Sequence, residues 1–135
     1  MTNSKVDWDQ LVDALRDELQ EKGGLIRLLN QQTETLYRRD IAENERLEEQ
    51  IRTQLRLISR CTQDREFALR QTAAKLHLNE DAQSHEVIRS FPEYVHPLLD
   101  ALFSEVDRLS NRMEERLKQN QGLKVRFFFE TSSAA

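Results

Sequence analysis

Four side chains could carry metal or nucleophilic chemistry: Cys61, His77, His85 and His96. Zinc takes thiolate sulfur and imidazole nitrogen, so Cys61 with His77 and His85 is the combination to weigh first. Its spacing matches no zinc-binding arrangement. No two histidines stand four residues apart, so no helix can offer a pair to one ion as HExxH does. A cysteine such as Cys61 is more often a small apolar filler than a nucleophile. The chain contains no GxGxxG, GxxxxGK or GxSxG. Asp and Glu are plentiful, but nothing marks an apolar pocket that would raise their pKa for acid–base work. A small helical bundle also leaves little volume for a substrate cavity. We therefore expect no catalytic residue, no metal and no cofactor.

Whatever these residues do, helices must position them. The 135-residue chain has the length of a single domain. Its apolar fraction is 38% and its charged fraction 33%, low and high respectively for a compact globule. The apolar residues are strongly periodic, which argues for thin, long helices rather than disorder. With 3 Gly and 2 Pro, breakers are few, so turns must be few as well. The net charge is −4. Basic residues are interleaved with acidic ones, which gives no footprint for nucleic acid. A lone cysteine forms no internal disulfide and fits a reducing cytoplasm. Met1 to Asp9 lack the apolar core of a secretory signal. No run approaches the ~20 apolar residues that cross a bilayer, so no membrane insertion is expected.

Met1 to Val6 form a polar lead, and Asp7 is a candidate cap for the first helix. From Trp8 to Leu36 a stripe steps by four and three through Trp8, Val12, Leu15, Leu19, Ile26, Leu29 and Leu36, with Lys22 and Thr33 keeping the phase. That is close to the seam of a coiled coil. Gly23 and Gly24 either bend this helix or admit a close neighbour. The stripe keeps phase across them, which favours a continuous helix. Asp40 with Glu43 is a variant of the capping box and predicts a second helix starting at Asp40. The competing reading is one helix from Trp8 to Leu76. At ~1.5 Å per residue it would be ~100 Å long and largely unpartnered, so a hairpin is favoured. The second helix carries Leu47, Ile51, Leu55, Ile58, Thr62, Leu69, Ala73 and Leu76, with solvated charged flanks. His77 to Gln83 break the pattern. Ser84 to Phe91 predict a short helix ended by Pro92, and Pro97 suits the start of the last. There the stripe is Leu98, Leu102, Val106, Leu109, Met113 and Leu117, widened by Leu99 and Phe103.

The fold class is thus all-α: an elongated, antiparallel, coiled-coil-like bundle of three long helices, with a short extra helix before the last. The predicted helices cover about 7–39, 40–77, 84–91 and 97–121 of a single domain, residues 1–135. An apolar segment 122–129 and a frayed polar tail 130–135 follow. In that segment Leu123, Val125, Phe127, Phe128 and Phe129 crowd together after Gly122. Consecutive aromatics on a helix point about 100° apart, so one bundle does not easily bury all three. The residues support both a helix end, or terminal strand, packed on its own bundle and a surface left for a partner.

The order of these features resembles the FlgN-type flagellar type III export chaperones. The residues that carry the resemblance are Leu25-Ile26-Arg27-Leu28-Leu29, then Glu34, Leu36 and Asp40. A charged helix ending in Lys75-Leu76-His77-Leu78 follows, then a loop, then Leu98-Leu99 opening a final helix that passes Asn111, Asn120 and Gly122 to Leu123. The family's LLxxLxxExxxLxxxD-like stretch corresponds to Ile26–Asp40 with shifted spacing, and the lysine of its second helix has no clear counterpart. The resemblance implies a cytoplasmic, non-catalytic chaperone that holds hook-filament junction proteins soluble before export. It implies that the C-terminal amphipathic segment Leu109–Phe128 binds them. Leu109, Met113, Leu117, Asn120, Leu123, Val125, Phe127 and Phe128 are the expected contacts. Leu, Met and Phe at helical spacing could cover an amphipathic helix of such a substrate, and Met113 adapts to shape. The alternative is a structural coiled-coil adaptor that self-associates through Trp8–Leu36. At most weak homo-oligomerisation is expected of the chaperone.

Overall fold

A computed structural model describes residues 8–134, with side chains over residues 8–129. It is an all-α bundle in which α1 (Asp9–Arg38), α2 (Ile41–Lys75) and α4 (His96–Ala134) are long and α3 (Ser84–Arg89) is short. The lead Met1–Val6 and the proposed cap Asp7 lie outside the described residues, as does Ala135; Trp8 occupies the cap position of α1. Trp8 is held edge-on between Phe91, at 6.0 Å, and Tyr94, at 5.8 Å, which ties the start of α1 to the segment before α4.

The helix boundary falls at Asp40, as expected. Asp40 is extended, and its carboxylate accepts from the Glu43 amide at 3.1 Å. The preceding turn uses neither Gly nor Pro. Arg39 takes the left-handed conformation, φ 59°. Its amide donates to the Leu36 carbonyl and that of Asp40 to Thr35, closing the last carbonyls of α1 in a Schellman turn. α2 ends the same way. His77, φ 61°, donates to Ala74, and Leu78 donates to Ala73. Both turns place a side-chain-bearing residue where glycine is the usual choice.

α1 lies between the other two long helices. It runs antiparallel to α2, since Gln10 meets Gln71, Glu18 meets Arg65 and Gln32 meets Asn44. It runs parallel to α4, since Lys22 meets Ser110 and Thr33 meets Asn120. Two neighbours demand a wide apolar face. Leu11, Leu15, Leu25 and Leu29 are fully buried and Val12 and Ile26 nearly so, so Leu11 and Leu25 widen the buried face beyond the single stripe. α1 passes through Gly23 and Gly24 without a break. A Cβ on Gly24 would stand 3.2 Å from the Gln54 amide nitrogen, which here donates to the Glu21 carbonyl and carboxylate. Gly24 admits a close neighbour, and Gly23 meets nothing.

The core is divided. A lower cluster joins Leu11, Val12 and Leu15 to Ala68, Ala73, Val87, Ile88, Phe91, Val95, Leu99 and Val106. An upper one joins Leu25 and Leu29 to Ile51 and Ile58, with Met113 and Leu117 packed against it. Between them sits a charged layer. The Glu18 carboxylate is fully buried and accepts from Arg65 at 2.8 and 3.2 Å, Lys22 at 2.7 Å and Thr62 at 3.0 Å. Lys22 also donates to the Ser110 hydroxyl at 2.6 Å. Burial pushes the Glu18 carboxyl up, but hydrogen bonds from Arg65 and Lys22, together with their charges, hold it below the usual carboxylate range.

Two boundaries depart from expectation. The short helix stops at Arg89, and a single 3₁₀ turn, Glu93–Val95, follows Pro92 before α4. α4 does not end near Gln121. Its backbone stays helical through Gly122 and on to Ala134, across the segment expected to be a tail. Glycine in a helix interior costs about 1 kcal/mol against alanine. Burying Phe127 nearby offsets that cost, because a buried aromatic contributes about 1.5–3 kcal/mol.

Candidate partner-binding surface

The upper end of the bundle is where α4 runs past the α1–α2 turn. A second polar layer sets its height. Asn120 is 1% exposed. Its side-chain amide donates to the Leu29 carbonyl at 2.9 Å and to Gln32 at 3.0 Å, and its oxygen accepts from Thr33 at 2.7 Å. Gln32 in turn donates to Asn44 at 3.2 Å and to Glu48 at 2.8 Å, and Lys124 pairs with Glu48 at 2.8 Å. The relay links all three long helices, and among the described residues no buried side-chain polar atom lacks a partner.

Above this layer the aromatic trio splits by helical angle. Phe127 turns inward and is buried beside half-buried Leu123 and the turn residues Leu36, Tyr37 and Arg39. Phe128 packs edge-on against it, centroids 5.5 Å apart, yet stays 60% exposed, while Val125 is 62% and Phe129 73% exposed. Val125 and Phe128 form one wall of a groove of about 660 Å³. Gln121 and Lys124 complete that wall, and Asn44, Glu45, Glu48, Glu49 and Arg52 of α2 form the other. One turn below Val125, Gly122 leaves open space: a Cβ there would meet nothing within 4 Å.

The eight expected contact residues therefore do not act alike. Val125 and Phe128 lie together on the groove. Leu109, Met113, Leu117 and Leu123 are half-buried, and Met113 and Leu117 face the upper core. Phe127 and Asn120 are interior, and the Asn120 amide is consumed within the bundle, so its place is in the scaffold rather than among the contacts. Phe129 and the α2 wall were not among the expected contacts. Phe129 was visible as the third aromatic. The α2 residues carried no signal, because a wall of charges becomes part of a groove only once α4 lies beside it.

The residues first weighed for chemistry are scattered. Cys61 is buried on α2, and burial, then the charges of Glu21, Asp17, Asp64 and Glu18, push its thiol up and keep it protonated. His77 ends α2, and the His96 ring donates through Nε2 to the Phe91 carbonyl at 2.9 Å. Among the described residues no three His, Cys, Asp or Glu side chains gather where they could hold a metal ion, and no helix is long and apolar enough to cross a membrane. No protein-family model matches the chain, and no curated protein or solved structure matches it either.

Proposed function

We propose that this protein is a non-catalytic, cytoplasmic chaperone of the flagellar type III export kind. In this reading it seats an amphipathic helix of a hook-filament junction protein in the groove between α2 and the end of α4. One observation carries the binding part of the reading. Val125, Phe128 and Phe129 present large apolar side chains at 60% exposure or more beside that groove. Burying a few such side chains contributes about 1.5–3 kcal/mol each, enough to hold a helix reversibly. The resemblance in feature order supplies the class of partner. The adaptor reading needs a stripe on Trp8–Leu36 for self-association, and the stripe's Val12, Leu15, Ile26, Leu29 and Leu36 are consumed inside the bundle.

The test is calorimetry against purified hook-filament junction proteins, using the full chain, Val125→Asp and Phe128→Ala. These positions are exposed, so the variants keep the fold. Truncation after Gln121 is a less specific test, because it also removes Phe127, which is buried at the α1–α2 turn. The wild type should bind with micromolar or tighter affinity, and Val125→Asp should bind at least tenfold more weakly. If the full chain binds none of them, the chaperone reading fails. If Val125→Asp binds as tightly as wild type, the site lies elsewhere.

A further inference from the structure

The two walls of the groove differ in character, and the difference specifies the flank of its occupant. The α4 wall is apolar at Val125 and Phe128, and its one cation, Lys124, is neutralised by Glu48. The α2 wall is acidic. From Asp40 to Arg52 the helix carries the carboxylates Asp40, Glu43, Glu45, Glu48 and Glu49 against the guanidinium groups of Arg46 and Arg52. Most of these have partners. Asp40 caps the helix, Glu43 holds Arg46, Glu48 holds Lys124 and Gln32, and Glu49 holds Arg52 at 2.6 Å. Among the described residues the Glu45 side chain makes no ion pair and no hydrogen bond, and it stands on the groove. Its neighbour Glu49 has its pair on the solvent-exposed rim.

A helix laid against Val125 and Phe128 would cover Glu45 and part of Glu49. If its flank were apolar, the Glu45 carboxylate would lose water with nothing in return. If the flank were acidic, like charges would meet. A basic flank supplies the missing counter-charge.

We infer that the groove selects an amphipathic helix whose apolar stripe is bordered, on the side facing α2, by Arg or Lys; this rests on the proposed binding site. The apolar stripe faces α4, and Glu45 and Glu49 read the basic border.

Two synthetic helical peptides test it. They share one leucine stripe, and the border is Arg in the first and Glu in the second. Fluorescence anisotropy measures binding to the full chain, to Glu45→Lys/Glu49→Lys and to Val125→Asp, at low and at physiological salt. The arginine peptide should bind wild type about tenfold more tightly than the glutamate peptide. That ratio should shrink as salt rises and invert in the double charge-reversal variant. Val125→Asp should weaken both peptides. Equal binding of the two peptides, unchanged by charge reversal, overturns the charge selection and leaves the groove standing. No binding of either peptide, or no effect of Val125→Asp, overturns the groove and the selection together. Concentration-dependent dimerisation abolished by Val125→Asp would assign the face to a second copy of the chain and overturn the inference.

Discussion

Glu18 offers the sharpest test of how this bundle is held. Glu18→Gln keeps the side-chain shape and removes the charge. Lys22 and Arg65 would then face each other with no anion between them. Breaking a buried ion pair from one side costs about 3–5 kcal/mol. The Lys22 side chain is 6% exposed but that of Arg65 is 20% exposed and keeps some water, so the lower end applies, about 3 kcal/mol. Against a typical domain stability of about 5–15 kcal/mol that is a large loss. With a urea dependence of about 2 kcal/mol per molar, the unfolding midpoint should fall by roughly 1.5 M. The triple variant Glu18→Leu/Lys22→Leu/Arg65→Leu removes all three charges and should regain most of that loss or exceed wild type. The pH dependence follows from the depressed Glu18 carboxyl. The folded state binds this proton less readily than the unfolded one. The stabilisation is therefore complete above the ordinary carboxylate value of 4.5 and is lost as pH falls through the lower folded value. Urea midpoints of wild type and Glu18→Gln should differ at neutral pH and converge as the pH drops below 4.5. A loss under about 1 kcal/mol in Glu18→Gln, with no convergence, would mean that water reaches the triad and that the apolar clusters alone hold the helices.

Four further variants can be read by the same unfolding assay. Asp40→Ala removes the acceptor for the Glu43 amide and should cost about 1 kcal/mol. Gly122→Ala should stabilise by up to about 1 kcal/mol, since the added methyl meets nothing. Gly24→Ala should gain less or lose, because it presses on Gln54. Asn120→Ala strands the Gln32 side-chain oxygen and leaves the Thr33 hydroxyl to the Leu29 carbonyl alone, and should cost about 1–3 kcal/mol.

The long helices were legible because their periodicity is unbroken and their breakers are few. The Asp40 boundary was legible because an Asp followed by Glu three residues later states a cap in side-chain chemistry. The turn before it was not, because Arg39 adopts the left-handed conformation without glycine to announce it. Glu18 and Gln32 escaped a hydrophobic reading for a different reason. They hold the same face as Leu11 and Leu25, seven residues apart, but polarity hides them until Arg65, Lys22, Asn44 and Asn120 arrive from elsewhere in the chain. The end of α4 was misjudged at Gly122. A local propensity cost suggested a stop, and the burial of Phe127 on a turn some ninety residues earlier outweighed it.

The hidden polar residues also connect the fold to the proposed site. A leucine stripe on α4 could slide along α1 by one turn, roughly 5.4 Å, and still bury apolar surface. The two polar layers resist that slide. Shifted by one turn, Ser110 would leave Lys22, and Asn120 would leave Gln32 and Thr33, stranding buried donors and acceptors. Lys124 would leave Glu48 at the same time. These interactions hold Val125 and Phe128 level with Glu45 and Glu49, and the groove exists only at that level. Asn120 therefore matters to binding although it is buried and touches no partner. Its loss should loosen the height of α4 and weaken every ligand of the groove together, whatever the charge on that ligand's flank.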